Sequence, residues 1–306
     1  MTINKNVLII GAGPAGISAA IYLSRSKYNF VLLEKDMFGG KLNTITDIDN
    51  YPGISTITGP DLISKYNEQL KEKNIEITFD DIKGISKEND LFVVIAEKNI
   101  YKVDALIIAT GSTIKKSGVT GEKEFEGRGI SYCAVCDGFF YRNKDVLVFA
   151  NEMKGYKEAL YLEKIVNKIY LINDNNLDDE DNDLEKLKKS KRVDFLYGFS
   201  IKEYIGDAFG LTSVKLENTK TKNELLLNVS GAFPFIGDIP SSYFLSSLNL
   251  NMNNGYIICD SNLKTNVEGI YAAGDIVNKS LKQIVTAASD GAIAATSAIR
   301  YLNSKK

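Results

Sequence analysis

The sequence predicts an α/β protein with two Rossmann-like domains. The first observation is a buried-strand pattern at Val7–Ile10, followed by a glycine-rich turn and a helix-forming run. The second is a repeat of that order further along the chain, where Asp145–Phe149 precedes a turn and a helical run ending at Val166. The third is the length, because 306 residues with 44% hydrophobic content can form more than one core.

The composition limits the possible functions. The formal net charge of −2 leaves no basic field over the whole chain, so we expect no nucleic acid partner. Polar residues or glycine interrupt every apolar run, and residues 1–6 lead directly into a strand, so we expect no membrane segment, no signal peptide and a cytoplasmic location. Since the chain has no histidine, a general acid or base must be a carboxylate, thiol, tyrosine, lysine or cofactor.

The first turn has the pattern G-x-G-x-x-G between a strand and a helix. Gly11 permits the tight turn, Gly13 lets a pyrophosphate approach the backbone, and Gly16 lets the helix pack on the strand. A second buried strand, Phe30–Leu33, ends at Glu34, where a carboxylate can accept hydrogen bonds from ribose hydroxyls. This order predicts a dinucleotide site, and a glycine-rich turn in an unliganded domain is the alternative.

The next segments predict strands and a domain boundary. An amphipathic helix is expected from Gly59 to Leu70. Alternating patterns at residues 75–79, 91–95 and 100–103 predict a small antiparallel ribbon. Residues 104–112 predict a buried strand that ends in a turn, and the loop-rich stretch after it indicates a boundary between domains.

Residues 131–140 place Cys133 and Cys136 in a Cys-x-x-Cys spacing, followed by Asp137. Thiols at this spacing can close a small disulfide ring and exchange two electrons reversibly, and in the cytosol such a disulfide is usually catalytic. Half of a zinc site is one alternative, but with only Cys259 left over it would need carboxylate ligands, so we expect no metal. Two inert core cysteines are the other alternative, although the following Asp-Gly favours a turn at a surface or cleft.

The second strand–turn–helix unit copies the layout of the first without its glycines. Its turn consists of Ala150, Asn151, Glu152, Met153 and Lys154. Side chains would block a phosphate there, and the Glu152 carboxylate would repel it. The next strand ends in residues 173–176, and an acidic run follows at 178–181. We interpret this unit as a nucleotide-binding fold that has lost its site.

The remainder predicts a return to the first domain. Residues 231–237 are expected to form the returning loop, and Cys259 is expected to be a core residue of a strand. Ala273–Asp275 places small residues before an acid, which suits either a strand end against a ligand or a tight strand-to-helix turn. A long helix of small residues is expected from Lys282 to Leu302.

In this order, these residues resemble the low-molecular-weight thioredoxin reductases, a family of flavoprotein disulfide reductases, along essentially the whole chain. The resemblance is carried by residues 11–16, 39–42, 50–53, 109–111, 133–138, 273–275 and 283–284. It implies FAD as cofactor, thioredoxin as acceptor, a homodimer, and two three-layer ββα domains. The FAD-binding domain would comprise residues 1–113 and 232–306, split by a dithiol domain at 114–231.

The resemblance also assigns roles to residues. The implied FAD contacts are Gly11, Gly13, Pro14, Ala15, Gly16, Glu34, Gly40, Lys41, Leu42, Asn50, Thr110, Gly111, Gly274, Asp275, Gln283 and Ile284. Lys41 stands where the family commonly has glutamine. The implied catalytic residues are Cys136 facing the flavin, Cys133 attacking thioredoxin, and Asp137 moving protons.

The electron donor is where the chain departs from NADPH-using relatives. Those carry a G-x-G-x-x-A turn and a His-Arg-Arg stretch, whereas the glycine positions here fall on Ala150 and Glu152 and the basic positions on residues 173–175. This pattern resembles the ferredoxin-dependent flavin thioredoxin reductases. The leading hypothesis is therefore an FAD-dependent disulfide reductase supplied by reduced ferredoxin or flavodoxin.

Three alternatives stay open at this point. The first is an FAD-dependent dithiol oxidase that uses oxygen, and the second is an NADPH-dependent thioredoxin reductase with an atypical site. The third is a non-catalytic flavin-binding interaction module. The intact dithiol and Asp137 argue against that last alternative, because a module has no need of them.

Overall fold

The structure is a computed structural model that describes residues 1–45, 48–150, 153–173 and 182–305, except the side chains of Thr44, Cys136, Met153 and Lys154. Packing divides the chain into two compact units. Unit 1 comprises residues 1–113 and 239–306, and unit 2 comprises residues 114–238.

The elements follow in chain order. The first group is β1 (Thr2–Ile10), α1 (Pro14–Leu23), β2 (Phe30–Glu34), α2 (Gly59–Glu72), β3 (Ile77–Phe79), β4 (Ile82–Glu88), β5 (Leu91–Ala96), β6 (Ile100–Ile108) and β7 (Ser112–Ile114). The central group is α3 (Glu122–Phe125), α4 (Ala134–Asp137), β8 (Asp145–Ala150), α5 (Met153–Glu163), β9 (Lys168–Asn173), α6 (Asn182–Lys189), β10 (Val193–Tyr197), β11 (Phe199–Asp207), β12 (Gly210–Asn218), β13 (Glu224–Asn228) and β14 (Gly231–Phe235). The last group is β15 (Asp238–Pro240), β16 (Met252–Asn253), β17 (Tyr256–Ile257), β18 (Ile270–Ala272) and α7 (Ile284–Ser304).

Unit 1 is built on a sheet with strand order β3-β2-β1-β6-β5-β4, and β18 also pairs with β6. Alternate residues of β1 enter two different cores, as the two-residue period of a strand requires. Val7 and Ile9 pack in the core that contains α1 and α7, whereas Leu8 and Ile10 pack in the core on the other face. That second core includes residues of β4 and β5, so the unit has three layers.

The predicted antiparallel ribbon in unit 1 is partly wrong. Residues 77–79 form β3, which pairs parallel with β2 and does not join the ribbon. The ribbon is instead β4-β5-β6, and the segments predicted at 100–103 and 104–112 are largely one strand, β6. The β6 strand pairs parallel with β1 and antiparallel with β5, so one strand serves both parts of the sheet.

Unit 2 repeats the three layers. Its parallel sheet has the order β10-β9-β8-β14, and β11-β12-β13 form a separate antiparallel sheet. Val146 and Val148 of β8 pack in the core with α5 and α6, and Leu147 packs in the core with β11 and β12. Both units therefore have the predicted Rossmann-like α/β architecture.

The second predicted domain boundary, between residues 231 and 232, differs from the structure. Residues 231–235 were expected to be a loop, but they form β14, all five residues of which are buried. The β14 strand pairs parallel with β8, so the hydrogen bonds of the sheet keep it in unit 2. The chain leaves that unit after Asp238.

Two smaller differences concern the last segment. The long helix begins two residues later than predicted, at Ile284, where Gln283 and Thr286 form a capping box. Cys259 lies beyond the end of β17 and is half-buried.

Among the described residues, no helix combines the length and hydrophobicity needed to span a membrane.

Candidate functional site

The glycine-rich turn between β1 and α1 contains two glycines that larger residues could not replace. Gly11 has a φ of 105°, and a Cβ there would lie 2.5 Å from the Ala109 carbonyl oxygen. A Cβ on Gly16 would lie 1.8 Å from the Gly11 carbonyl oxygen. Gly13 differs, because no described atom lies within 4 Å of its Cβ position. Gly13 therefore leaves an open approach to the N–H groups at the start of α1, where Pro14 takes the first helical position.

Glu34, the last residue of β2, holds this turn through its carboxylate. Its Oε2 atom accepts a hydrogen bond from the Ala12 N–H at 2.8 Å, and Oε1 accepts from the N–H groups of Lys35 and Asp36. Glu34 is half-buried, so part of it stays accessible. An acid beside the glycine turn at the end of the second strand is the arrangement that binds a dinucleotide ribose.

Predicted FAD contacts from distant parts of unit 1 meet in pairs. Lys41 Nζ lies 2.6 Å from Ser112 Oγ and 4.0 Å from Asp275 Oδ2. Asn50 donates a hydrogen bond from Nδ2 to Gln283 Oε1 at 3.0 Å. The fold thus joins loops that are separated by more than half of the chain.

The other predicted contacts in this region lie in turns. Gly40 and Gly111 both have positive φ, and no described atom occupies their Cβ positions. Leu42 is buried, and Thr110 donates a hydrogen bond from Oγ1 to the Ser241 carbonyl at 2.8 Å. The backbone of these turns is therefore accessible, and buried Leu42 and the Thr110 hydrogen bond hold it in place.

An ion pair in α7 was not anticipated from the sequence. Asp290 accepts a hydrogen bond from the Gly274 N–H at 2.9 Å and pairs with Lys279 Nζ. It thereby supports the turn before Asp275. The sequence signal that could have revealed this ion pair is Asp290 itself, because it is a single acid in the first half of α7, where the other residues are mostly small and apolar. Gly274 also packs on α1, where its Cβ would lie 2.9 Å from Ala15 Cβ.

These features of unit 1 fit FAD. The open side of Gly13 admits a pyrophosphate to the N–H groups of α1, and Glu34 offers a carboxylate where the adjoining ribose is bound. The paired Asn50 and Gln283 offer polar groups for the remainder of the cofactor.

In unit 2, Cys133 is disulfide-bonded and stands immediately before α4. The side chain of Cys136 lies outside the described residues. The Ala134 N–H donates a hydrogen bond to Glu158 Oε2 at 2.9 Å, so α5 holds the dithiol segment. Cys259 is a free thiol whose burial raises its pKa to about 12, which suits an inert position.

Ser131 links the predicted nucleophile and the predicted acid, and sequence reasoning assigned it no role. Its Oγ lies 2.6 Å from Asp137 Oδ2, and it accepts a hydrogen bond from the Cys133 N–H at 3.2 Å. The Asp137 N–H donates to the Cys133 carbonyl at 3.2 Å.

Burial, followed by the nearby Asp137 charge, raises the pKa of Tyr141. The side chain of Asp137 is half-buried.

Two aromatic side chains beside the dithiol are exposed. Phe139 is 65% exposed and Phe140 is 71% exposed, both within a 3-10 turn that follows α4. The turn is fixed on α5, because a Cβ on Gly138 would lie 2.9 Å from Leu162 Cδ2. Exposed apolar surface therefore lies in the chain directly after the segment that carries Cys133.

The turn after β8 bears on the predicted loss of a nucleotide site. Asn151, Glu152 and residues 174–181 lie outside the described residues, as do the side chains of Met153 and Lys154. Of the flanking residues, Ala150 is fully buried at the end of β8. Tyr156 in α5 is also buried, and its hydroxyl accepts a hydrogen bond from Asn173 Nδ2 at the end of β9 at 2.7 Å. A tyrosine side chain therefore packs at the carboxyl edge of the sheet, where parallel α/β sheets bind ligands.

Comparison with known proteins places the chain among disulfide reductases. The family model for pyridine nucleotide-disulphide oxidoreductases matches residues 5–291. A thioredoxin reductase of Listeria innocua is 38% identical over 302 residues, which cover 98% of this chain and 95% of that protein. The crystal structure of Lactococcus lactis thioredoxin reductase (FR conformation) matches with a TM-score of 0.82 and 36% identity, covering 98% of this chain and 99% of that one. A ferredoxin-flavin thioredoxin reductase of Clostridium acetobutylicum matches less closely, with a TM-score of 0.56 and 27% identity over 99% of this chain and 100% of that one.

Proposed function

The chain belongs to the pyridine nucleotide-disulphide oxidoreductase family and, within it, to the thioredoxin reductases, and we propose that it reduces the disulfide of a thioredoxin-like protein. FAD is its cofactor, and the reducing equivalents leave through Cys133 and Cys136. The observation that carries this proposal is the disulfide at Cys133, followed by an acid and an exposed aromatic pair, in a chain that also has an FAD site.

The residues of unit 2 have distinct tasks in this reaction. When bound, FAD supplies two electrons that reduce the disulfide to a dithiol. The Cys133 thiolate then attacks the disulfide of the acceptor protein, and the Cys136 thiolate resolves the mixed disulfide. Asp137 holds and transfers the proton, since the chain has no histidine for this task. Phe139 and Phe140 provide apolar contact for the acceptor.

The comparisons fit a pyridine nucleotide donor better than the predicted ferredoxin donor. The matching family is named for pyridine nucleotides, and the ferredoxin-flavin enzyme is the less similar of the two structures compared. Whole-chain similarity is weighted toward parts that both kinds of enzyme need, namely the FAD site and the dithiol. The donor depends on a few positions in unit 2.

We propose that the electron donor is a protein of the ferredoxin or flavodoxin type, and the basis for this proposal is the residues at those positions. Ala150 and Glu152 stand where backbone must approach a pyrophosphate, and an added carboxylate there repels it. The Asn173 side chain at the end of β9 donates a hydrogen bond to the hydroxyl of Tyr156 in α5 at 2.7 Å. A one-electron protein donor needs no nucleotide pocket, because FAD accepts electrons singly or in pairs. A cytoplasmic location and a homodimer stay predictions.

One experiment tests the function and the donor together. The purified FAD-containing protein is mixed anaerobically with NADPH, NADH, reduced ferredoxin or dithiothreitol, while the flavin absorption band and the new thiols of thioredoxin are followed. We expect reduced ferredoxin to bleach the flavin and produce thioredoxin thiols. Rapid bleaching by NADPH would assign a pyridine nucleotide donor instead.

The remaining outcomes identify the other functions. Bleaching by dithiothreitol in the absence of thioredoxin, followed by reoxidation when oxygen is admitted, would identify a dithiol oxidase if no other donor leads to thioredoxin thiols. No bleaching by any donor would indicate a non-catalytic module. The Cys133→Ser variant should still be bleached but should not reduce thioredoxin, and loss of both steps would contradict the assigned role of Cys133.

A further inference from the structure

Ser131 is held in one position by its surroundings. Ser131 is only 5% exposed, and its backbone N–H donates a hydrogen bond to the Ala232 carbonyl of β14 at 3.0 Å. Ser131 Oγ lies within hydrogen-bond distance of three groups: Asp137 Oδ2 at 2.6 Å, the Cys133 carbonyl at 3.2 Å and the Cys133 N–H at 3.2 Å. A buried hydroxyl with these neighbours has a single arrangement that satisfies donors and acceptors.

The distances decide where the hydroxyl hydrogen goes. A hydroxyl has one hydrogen to donate, and bonds to a charged acceptor are shorter and stronger than bonds to a neutral carbonyl. The 2.6 Å contact therefore carries the donated bond to Asp137, while the oxygen accepts from the Cys133 N–H. With the bond from the Asp137 N–H to the Cys133 carbonyl, three residues close a ring.

We propose that Ser131 is a positioning residue that orients the Asp137 carboxyl toward the sulfur leaving from the acceptor disulfide. This inference rests on the proposed disulfide exchange. When Cys133 Sγ bonds to one acceptor sulfur, the acceptor S–S bond breaks and its electron pair stays on the other sulfur. The Asp137 carboxylate first takes the proton of the Cys133 thiol, which generates the attacking thiolate, and then passes that proton to the leaving sulfur. This returns Asp137 to the carboxylate that accepts the hydrogen bond from Ser131.

Neighbouring ionisable groups do not replace Asp137 in this step. α4 packs against α5 and against the turn that carries Tyr141. The pKa of Tyr141 is raised above its ordinary value by burial and by Asp137, so the phenol holds its proton at neutral pH. Glu158 in α5 accepts a hydrogen bond from the Ala134 N–H at 2.9 Å. Tyr161 in α5 lies near Gly138 and is also a phenol.

The test compares two small disulfides with different leaving groups. The holoprotein is reduced with dithionite, which makes the result independent of the natural donor, and then mixed with 5,5′-dithiobis(2-nitrobenzoate) or bis(2-hydroxyethyl) disulfide. The aromatic thiolate leaves without a proton, whereas the alkyl thiolate needs one, because leaving ability falls as the basicity of the thiolate rises. We expect Ser131→Ala to slow the alkyl reaction about 10-fold and the aromatic reaction less than about 2-fold.

Matched variants separate positioning from loss of structure. Ser131→Thr keeps a hydroxyl and should restore most of the alkyl rate. Ser190→Ala removes a comparable hydroxyl-to-carboxylate bond, from Ser190 Oγ to Glu163 Oε1 at 2.7 Å, and should change neither rate. Asp137→Asn should cause the same selective loss, and adding Ser131→Ala to it should cost little more.

Equal slowing of both disulfides by Ser131→Ala, or fully additive losses in the double variant, would overturn the inference. If the leaving-group selectivity changes as expected but the wild type does not reduce thioredoxin, the proposed acceptor is wrong and the role of Ser131 stands. If thioredoxin is reduced but the selectivity does not change, only the role of Ser131 is wrong.

Discussion

Gly13 and Gly16 should respond in opposite ways to the same substitution. Gly13 has φ −82° and ψ −174°, a conformation open to any residue, and no described atom lies near its Cβ position. Gly13→Ala should therefore change the free energy of unfolding of the apoprotein by less than about 1 kcal/mol. A Cβ on Gly16 would lie 1.8 Å from the Gly11 carbonyl oxygen, well inside normal contact distance, so α1 would have to move.

That movement is opposed by the helix on the other side of α1. A Cβ on Gly291 of α7 would lie 2.0 Å from the Ala15 carbonyl oxygen, so the two helices already touch backbone to backbone. We expect Gly16→Ala to destabilise the apoprotein by about 3 kcal/mol or more, near the upper end of the range for overpacking. For a domain of this size, that corresponds to a fall in Tm of about 6 to 12 °C.

In contrast to its small effect on stability, Gly13→Ala should weaken FAD binding. A methyl group on its open side would stand between the pyrophosphate and the N–H groups of α1. Losing one hydrogen bond to a charged group costs about 1.5–3 kcal/mol, which weakens binding about 10- to 150-fold.

The assay combines thermal unfolding of the apoprotein, followed by circular dichroism, with titration of FAD, followed by its fluorescence. Gly84→Ala is the matched control, because Gly84 lies in β4 of the same unit and its Cβ position is open. It should leave both measurements unchanged. The reasoning is refuted if Gly13→Ala unfolds as early as Gly16→Ala, or if Gly13→Ala binds FAD as tightly as the wild type.

Three further predictions follow from single sites. Asp80 is 2% exposed, and its carboxylate accepts four hydrogen bonds. Burial alone would raise the pKa of Asp80, but these hydrogen bonds outweigh burial and lower it. We therefore expect Asp80→Asn to lower the free energy of unfolding at pH 7, measured in urea, by about 1–3 kcal/mol. Because that pKa is depressed in the folded state, the difference from wild type should shrink only as the pH falls below about 4, and a gap that persists unchanged in acid would contradict the assignment. In the reduced protein, iodoacetamide at neutral pH should label Cys133 before Cys259, whose pKa is raised to about 12, as peptide mapping can check. Replacing Phe139 and Phe140 by serine should raise KM for thioredoxin about 10-fold with little change in Tm, and an unchanged KM would exclude them from docking.

The parallel strands were predictable because burial on both faces leaves continuous apolar runs. Val7–Ile10 and Phe30–Leu33 lie side by side in β1 and β2, as their composition indicates. The β4 strand was missed because its outer positions are polar, and only Ile82 and Ile85 enter the core. Its assignment depends on pairing with β5, which a local pattern does not encode.

The same distinction applies to the candidate site. The glycine turn and Glu34 were predictable, because local backbone needs dictate those residues. Contacts such as Lys41 with Ser112 or Ser131 with Asp137 join side chains that carry no recognisable local signal. Asn173 with Tyr156 is a similar case, since a tyrosine in an amphipathic helix usually indicates only a core position.

The two strand–turn–helix units show which glycines serve packing and which serve a ligand. In unit 1, close contact between helix and strand is made by Gly16 against the Gly11 carbonyl, and Gly13 is left over for the phosphate. In unit 2 the close contact is kept, because a Cβ on Gly155 would lie 2.7 Å from Ala150 Cβ. The position that corresponds to Gly13 is Glu152. Unit 2 therefore has a glycine at the position where packing needs one and a glutamate at the position where a pyrophosphate would approach, and this separation of the two roles is the residue-level basis for the proposed protein donor.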